Sequence, residues 1–156
     1  MDRLEQQRST PMRITTGYPK LDDELGGGLA RKEIVLLSAN SGGGKSITLA
    51  NLAKNLLSQK LNVLYISLEL SEETIAQRFD TMFTGIPSIL LNDKYKDVAN
   101  SLIQLSDNMG KLKIKHFASG TNSNALRAYL KEFELQYRFI PDVLIIDYLD
   151  ILGQIS

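Results

Sequence analysis

The stretch EIVLLSANSGGGKSITLANLAKNLLS, residues 33–58, carries more structural and chemical information than any other part of this chain. Its opening, Glu33 to Ala39, is a short aliphatic run bounded by polar and glycine-rich segments, the pattern of a buried strand. Asn40 to Ser46 (NSGGGKS) follows as a glycine-rich turn. Beyond it, Leu49, Leu52, Ala53 and Leu56 recur at spacings of three and four, which predicts a helix from Lys45 to about Ser58. A strand, a glycine loop and a helix in this order can hold phosphate. Glycines let backbone N–H groups converge on an anion, and the helix N-terminus adds its partial positive charge. The candidate nucleotide-binding residues are therefore Ala39, Asn40, Ser41, Gly42, Gly43, Gly44, Lys45 and Ser46. Lys45 can reach the β- and γ-phosphates, and the Ser46 hydroxyl can hold Mg²⁺. ATP and Mg²⁺ are the expected cofactors. The first position is Ala39 where the strict pattern writes glycine.

Further along, Asn62 to Leu68 (NVLYISL) reads as a second strand. Ser71 should cap a helix with Glu72 and Glu73 in its first turn, running to about Thr84 and ending near Gly85 and Pro87. Asp93 to Asn108 is expected to be helical, closed by Gly110. Lys111 to Phe117 alternates lysine with apolar residues, as a strand with one solvated face does. Ser123 to Arg138 carries Leu126, Leu130, Phe133 and Tyr137 on one helical stripe, and Pro141 stops it. Asp142 to Asp147 (DVLIID) is the last strand. Strands alternating with helices imply crossover units and a mostly parallel sheet, so the class is α/β.

Two acids stand where such a sheet places its chemistry, beyond the carboxyl ends of its strands. Glu69 follows NVLYISL; alone it is an ordinary surface residue or cap, but beside a phosphate loop it can orient and deprotonate an attacking water. Asp147 ends four aliphatic residues, Val143 to Ile146, the pattern of a strand that delivers a carboxylate to Mg²⁺. Other residues read more blandly. By residue type Arg78 is a solvated helix residue, and His116 is structural. Asp22, Asp23 and Glu24 make a solvated turn. Lys111, Lys113 and Lys115 decorate a soluble strand edge.

Composition bounds the rest. The 156 residues suit one compact domain, with residues 1–13 a polar tail or linker and residues 14–156 the folded part. Lys+Arg and Asp+Glu are 18 each, so a basic nucleic-acid coat over the whole surface is excluded, although a local patch is not. There is no cysteine and one histidine, which excludes disulfides, a thiol nucleophile and multi-histidine or thiolate metal sites. No apolar stretch approaches a membrane span and the start is no signal peptide, so a soluble, cytoplasmic protein is expected.

These motifs, in this order, resemble the ATPase domain of hexameric replicative DNA helicases of the DnaB and T-even phage type, within the RecA-like P-loop superfamily. VLYISLELSEETIAQRFD is similar to the family's second motif, with Glu69 as the catalytic acid; PDVLIIDYLDIL is similar to its third, with Asp147 followed by Tyr148 and Leu149. GKLKIKHFASGTNSNALRAYLKEF resembles the phage branch, and TGYPKLDDELGGGL also resembles RecA-like ATPases of the KaiC and RadA groups. The family accepts alanine at the first loop position, and Arg78 falls where it has an arginine near the nucleotide.

The resemblance implies a ring, a homo-hexamer around single-stranded DNA, with ATP hydrolysed at subunit interfaces to drive translocation and duplex opening. Primase and a helicase loader are the implied partners, and a bacterial or phage-infected cell is the implied setting. Only YLDILGQIS follows Asp147, whereas the family's DNA-contacting loops, γ-phosphate sensor and arginine finger come later. In the RecA-like order a further strand also inserts between the strand ending at Ala39 and the one ending at Asp147. The expectation is a domain fragment or truncated product, with Ile151, Leu152 and Ile155 lacking cover. A fragment that binds nucleotide without turnover, or a recombination or signalling ATPase, are the alternatives.

Overall fold

The computed structural model describes residues 12–40, 42, 44–137 and 140–147. The chain divides into two compact units, Met1–Gly43 and Gly44–Ser156.

In the first unit β1 (Arg13–Ile14) pairs antiparallel with β2 (Leu29–Ala30), with α1 (Pro19–Glu24) between them. Arg13, assigned by the sequence to the tail, is thus part of a strand. Gly28 has a φ of +112°, and a Cβ there would lie 2.3 Å from the Ile14 carbonyl oxygen, so only glycine lets β2 come this close to β1. The expected solvated turn at Asp22 is instead helix, and its carboxylate is engaged. It accepts from Thr16 N–H at 2.8 Å, from the Thr16 hydroxyl at 2.6 Å and from the Thr15 hydroxyl. These bonds, that from Thr15 foremost, hold its pKa below the usual carboxylate value.

The strand expected at Glu33 to Ala39 is not formed. Residues 33–40 have no regular structure, and Ile34 is 95% exposed. An aliphatic run becomes a strand only where a neighbouring backbone takes up its N–H and C=O groups. The two described sheets contain no ladder that includes it. In the order implied by the resemblance, the neighbour of this run is a further strand, which the described residues do not supply.

The second unit runs α2 (Lys45–Ser58), β3 (Val63–Ser67), α3 (Glu72–Thr84), a 3₁₀ turn (Ser88–Leu90), α4 (Tyr95–Ser106), β4 (Leu112–His116), α5 (Ser123–Tyr137) and β5 (Val143–Asp147). Its sheet is parallel in the order β4-β3-β5, with Ser67 in register with His116 on one side and Asp147 on the other. All five residues of β3 are buried, as befits a central strand covered on both faces. Leu64 and Ile66 pack with Leu126 and Phe133 of α5. Tyr65, of opposite parity, meets Phe79 of α3 edge to face at 5.8 Å between centroids.

Helix ends follow local chemistry. The Ser71 hydroxyl accepts from Thr74 N–H, Glu72 and Glu73 stand in the first turn, and Gly85 closes α3 in the left-handed region at φ +72°. Asn122 caps α5 by accepting from Ala125 N–H at 2.9 Å. β4 is an edge strand, but its lysines do not all stand clear in solvent. Lys115 pairs with Glu72 at 3.7 Å, and the Lys113 ammonium lies 5.0 Å from the Tyr137 ring centroid. His116 ends β4 half-buried, and its backbone N–H donates to Glu72. Residues 138 and 148–156, including Tyr148, Leu149 and the apolar tail, lie outside the described residues, as does most of the 1–13 segment.

Gly110 does not close α4, which ends at Ser106. Its N–H donates to the Leu57 carbonyl at 2.8 Å, and a Cβ would lie 1.8 Å from the Leu61 carbonyl oxygen. The glycine is there for close approach of two backbones. Gly110→Ala should therefore displace the entry to β4 and cost about 2 kcal/mol or more. An unchanged urea midpoint would show that the backbones can part without penalty.

Candidate functional site

α2 begins at Lys45 from an N-cap, Gly44, whose φ of +75° is left-handed. A glycine takes that conformation without a Cβ penalty. The Gly44 carbonyl accepts both the backbone N–H and the hydroxyl of Thr48, at 2.9 Å each. No side chain caps the helix and no acid stands in its first turn. α3 is the opposite case, with a serine cap and two acids. The first N–H groups of α2 are thus not claimed by a side-chain cap and can serve an anion.

β5 ends beside this helix start. The Ser46 hydroxyl donates to Asp147 Oδ1 at 3.1 Å, across 101 residues of sequence. Asp147 is 2% exposed and its other oxygen, Oδ2, accepts from the Tyr65 hydroxyl at 2.9 Å. Ladder bonding continues one residue further, Leu68 N–H donating to the Asp147 carbonyl at 2.8 Å, so β3 and β5 end flush. After that bond the chain turns, the buried Ser67 hydroxyl accepting from Leu70 N–H at 2.9 Å. This turn carries Glu69, exposed, two residues beyond the register partner of Asp147.

Lys45, Ser46, Glu69 and Asp147 are therefore gathered where α2 starts and β3 and β5 end. Arg78 lies on α3, with its Nη1 buried and without a hydrogen-bond partner among the described residues. Its charge is near enough to Tyr65 to act on the phenol. Ala39, Asn40 and Gly42 belong to the other unit: Ala39 and Asn40 are exposed without regular structure, and Gly42 has a φ of +77°. Ser41 and Gly43 lie outside the described residues. Sequence reasoning passed over Tyr65. The signal for it was a phenol in the middle of a wholly buried strand, which needs a partner for its hydroxyl. Burial first, then the neighbouring carboxylate, raise the pKa of Tyr65 far above the ordinary phenol value, with Arg78 opposing.

The donors fit Mg²⁺. Two oxygens, a hydroxyl and a carboxylate, converge 3.1 Å apart at a helix start. Mg²⁺ needs few protein ligands when phosphates and water complete its octahedron. No cluster of three or more His, Cys, Asp or Glu side chains able to hold a metal exists among the described residues. This suits a cation that arrives with its nucleotide rather than one caged by protein. No described helix is long and apolar enough to cross a membrane.

Comparison with known proteins agrees with this geometry. A DnaB-like replicative helicase of Enterobacteria phage T4 is 33% identical over 132 residues, covering 80% of this chain and 28% of its own length. DNA repair protein RadA of Campylobacter jejuni is 39% identical over 79 residues, covering 51% of this chain and 18% of its own. Among solved structures, a helicase ATPase domain superposes with a TM-score of 0.70 at 19% identity, over 96% of this chain and 54% of that one. A DnaB-like replicative helicase, studied for its interactions with primase, gives 0.69 at 21% identity over 98% and 39%. The chain thus spans between about a fifth and a half of the length of these relatives, and the two structures establish its fold as that of RecA-like helicase ATPase domains. Residues 13–156 match the family described as the DnaB-like helicase C terminal domain. With the phosphate-loop sequence, the parallel sheet and the helicase relative all in agreement, the chain belongs to the DnaB-like helicase C-terminal domain family.

Proposed function

We propose that this chain is the ATP-binding core of a replicative DNA helicase, in which Mg-ATP hydrolysis drives translocation on single-stranded DNA and opening of the duplex. The observation that carries the reading is the meeting of Ser46 and Asp147 at the start of α2, with Glu69 at the adjoining strand end.

Each residue has a part that its position suits. The first N–H groups of α2 and the Lys45 ammonium bind the β- and γ-phosphates and stabilise charge that builds on them. Ser46 and Asp147 hold Mg²⁺, which when bound bridges the phosphates and offsets their developing charge. Glu69, exposed on its turn, orients water and takes its proton. Arg78 sits behind the carboxylate as a second cation. In the helicase reading the working state is a homo-hexamer around single-stranded DNA, in the cytoplasm of a bacterial or phage-infected cell. Primase and a loader are its partners; the primase complex of a structural relative supports the first.

The identity to RadA proteins favours a second reading, a recombination ATPase that shares the phosphate loop but does not unwind a fork. Strand displacement on a forked duplex, measured with the site in its full-length protein, separates the two.

The direct test is Mg-ATP binding and hydrolysis by the 156-residue chain, with and without single-stranded DNA. Binding is expected. Turnover stimulated by DNA would make the chain a complete ATPase, and binding without turnover a nucleotide site whose activating groups come from elsewhere. Failure to bind Mg-ATP would overturn the reading.

A further inference from the structure

We propose that Tyr65 is the positioning residue of the cation site: by donating to Oδ2 of Asp147 it turns the carboxylate so that Oδ1 alone faces Ser46 and the cation. The proposal rests on the assignment of Ser46 and Asp147 as the Mg²⁺ donors.

The geometry leaves the phenol no other part to play. Tyr65 is wholly buried in the central strand, and Asp147, its acceptor at 2.9 Å, is 2% exposed. The ring is held from the side by Phe79, edge to face at 5.8 Å, and Phe79 in turn stacks on Phe83 at 6.2 Å. β3 and β5 fix the two backbones, Tyr65 being in register with Ile145, two residues before the acid. Both the donor and the strand that carries the acceptor are therefore immobile. A carboxylate on a single Cβ otherwise swings about its terminal torsion, which is broad and two-fold. It can then offer one oxygen, or both, to a metal. The bond from Tyr65 removes that freedom.

The two bonds to Asp147 also differ in what a cation does to them. To act as a ligand Ser46 must turn a lone pair to the metal, so its present donation to Oδ1 is exchanged when the cation arrives. The bond from Tyr65 to Oδ2 faces the protein interior and persists. Because burial and the adjacent carboxylate keep the phenol protonated far above neutral pH, it remains a donor under all working conditions. Groups that orient a metal ligand in this way are commonly worth about 10- to 100-fold in metal affinity.

Tyr65→Phe keeps the ring and its contact with Phe79 and removes only the oxygen. With N-methylanthraniloyl-ADP as the probe, Mg²⁺-free affinity should stay within about 2-fold of the parent, while the Mg²⁺ concentration that half-saturates the complex should rise about 10-fold. On an Asp147→Asn background the same change should add nothing to the Mg²⁺ requirement. In the parent chain labelled with ¹³Cζ-tyrosine, the Tyr65 resonance should move on adding Mg²⁺ to the ADP complex and stay put on adding ADP alone; this measurement needs no variant to fold. A lowered melting temperature with an unchanged Mg²⁺ requirement, or equal loss of Mg²⁺-free and Mg²⁺-bound affinity, would make Tyr65 merely structural and overturn the proposal. Should the parent bind the probe with no Mg²⁺ dependence at all, the assignment of Ser46 and Asp147 falls, and this proposal with it.

Discussion

Lys45→Ala is expected to lower nucleotide affinity at least about 100-fold, to the point where binding is lost at ordinary concentrations. From Ala39 to Ser46 the sequence holds one cation, Lys45, at the first position of α2. A charge-assisted hydrogen bond to phosphate contributes about 1.5–3 kcal/mol, and Lys45 can make one to each of two phosphates. Losing about 3 kcal/mol is a little over 100-fold in Kd. Alanine is the best helix former, so α2 and the fold should survive the change. Circular dichroism establishes the fold and titration with N-methylanthraniloyl-ADP reads the affinity. Unchanged affinity in a folded variant would remove the phosphate-loop assignment.

Glu69→Gln should separate binding from chemistry. Glutamine keeps the size and the hydrogen-bonding reach of the side chain but cannot accept a proton at neutral pH. Nucleotide affinity should stay within about 2-fold, while turnover falls about 10²- to 10⁴-fold, the usual range for a missing general base. Glu69 is exposed on the turn after β3, so stability should move by no more than about 0.5 kcal/mol. Phosphate release measured wherever the parent turns over, alone or within its full-length protein, checks this. Hydrolysis at the parent rate would assign the water to another group.

Helix and strand periodicity were legible because local chemistry agreed with the packing. Ser71, Glu72 and Glu73 announced the start of α3, and Gly85 its end. The helix predicted over 45–58 is the one observed, and Leu126 and Phe133 on the predicted stripe are buried. Asp147 was readable as the polar end of an aliphatic strand. What was not legible depends on partners distant in sequence. The run at 33–39 has strand composition, yet a strand exists only with a neighbour, and composition does not say whether one is at hand. Gly110 looked like a helix stop, but the reason for the glycine is the Leu61 carbonyl, which stands before β3 and far back along the chain. Tyr65 was inconspicuous in NVLYISL until the register of β3 with β5 brought its hydroxyl to Asp147.

The order in which the chain is synthesised gives the β3–β5 pairing a further meaning. β4 can pair with β3 as soon as His116 has been made, but β5 follows only after α5, and its entry bond joins Asn62 to Asp142, 80 residues apart. At about 5–20 residues per second, the stretch from the end of β4 to the end of β5 takes roughly 2–6 s to emerge. During that interval one edge of β3 has no ladder partner and the Tyr65 hydroxyl has no acceptor. The nascent unit is then a two-stranded ribbon with an open seam, exposed to wrong pairings and to chaperones. Asp147 is the last residue of the last described strand. The arrival of the acid that would hold the metal and the closing of that seam are one event, so a chain interrupted before it would lack both the carboxylate and the strand that delivers it.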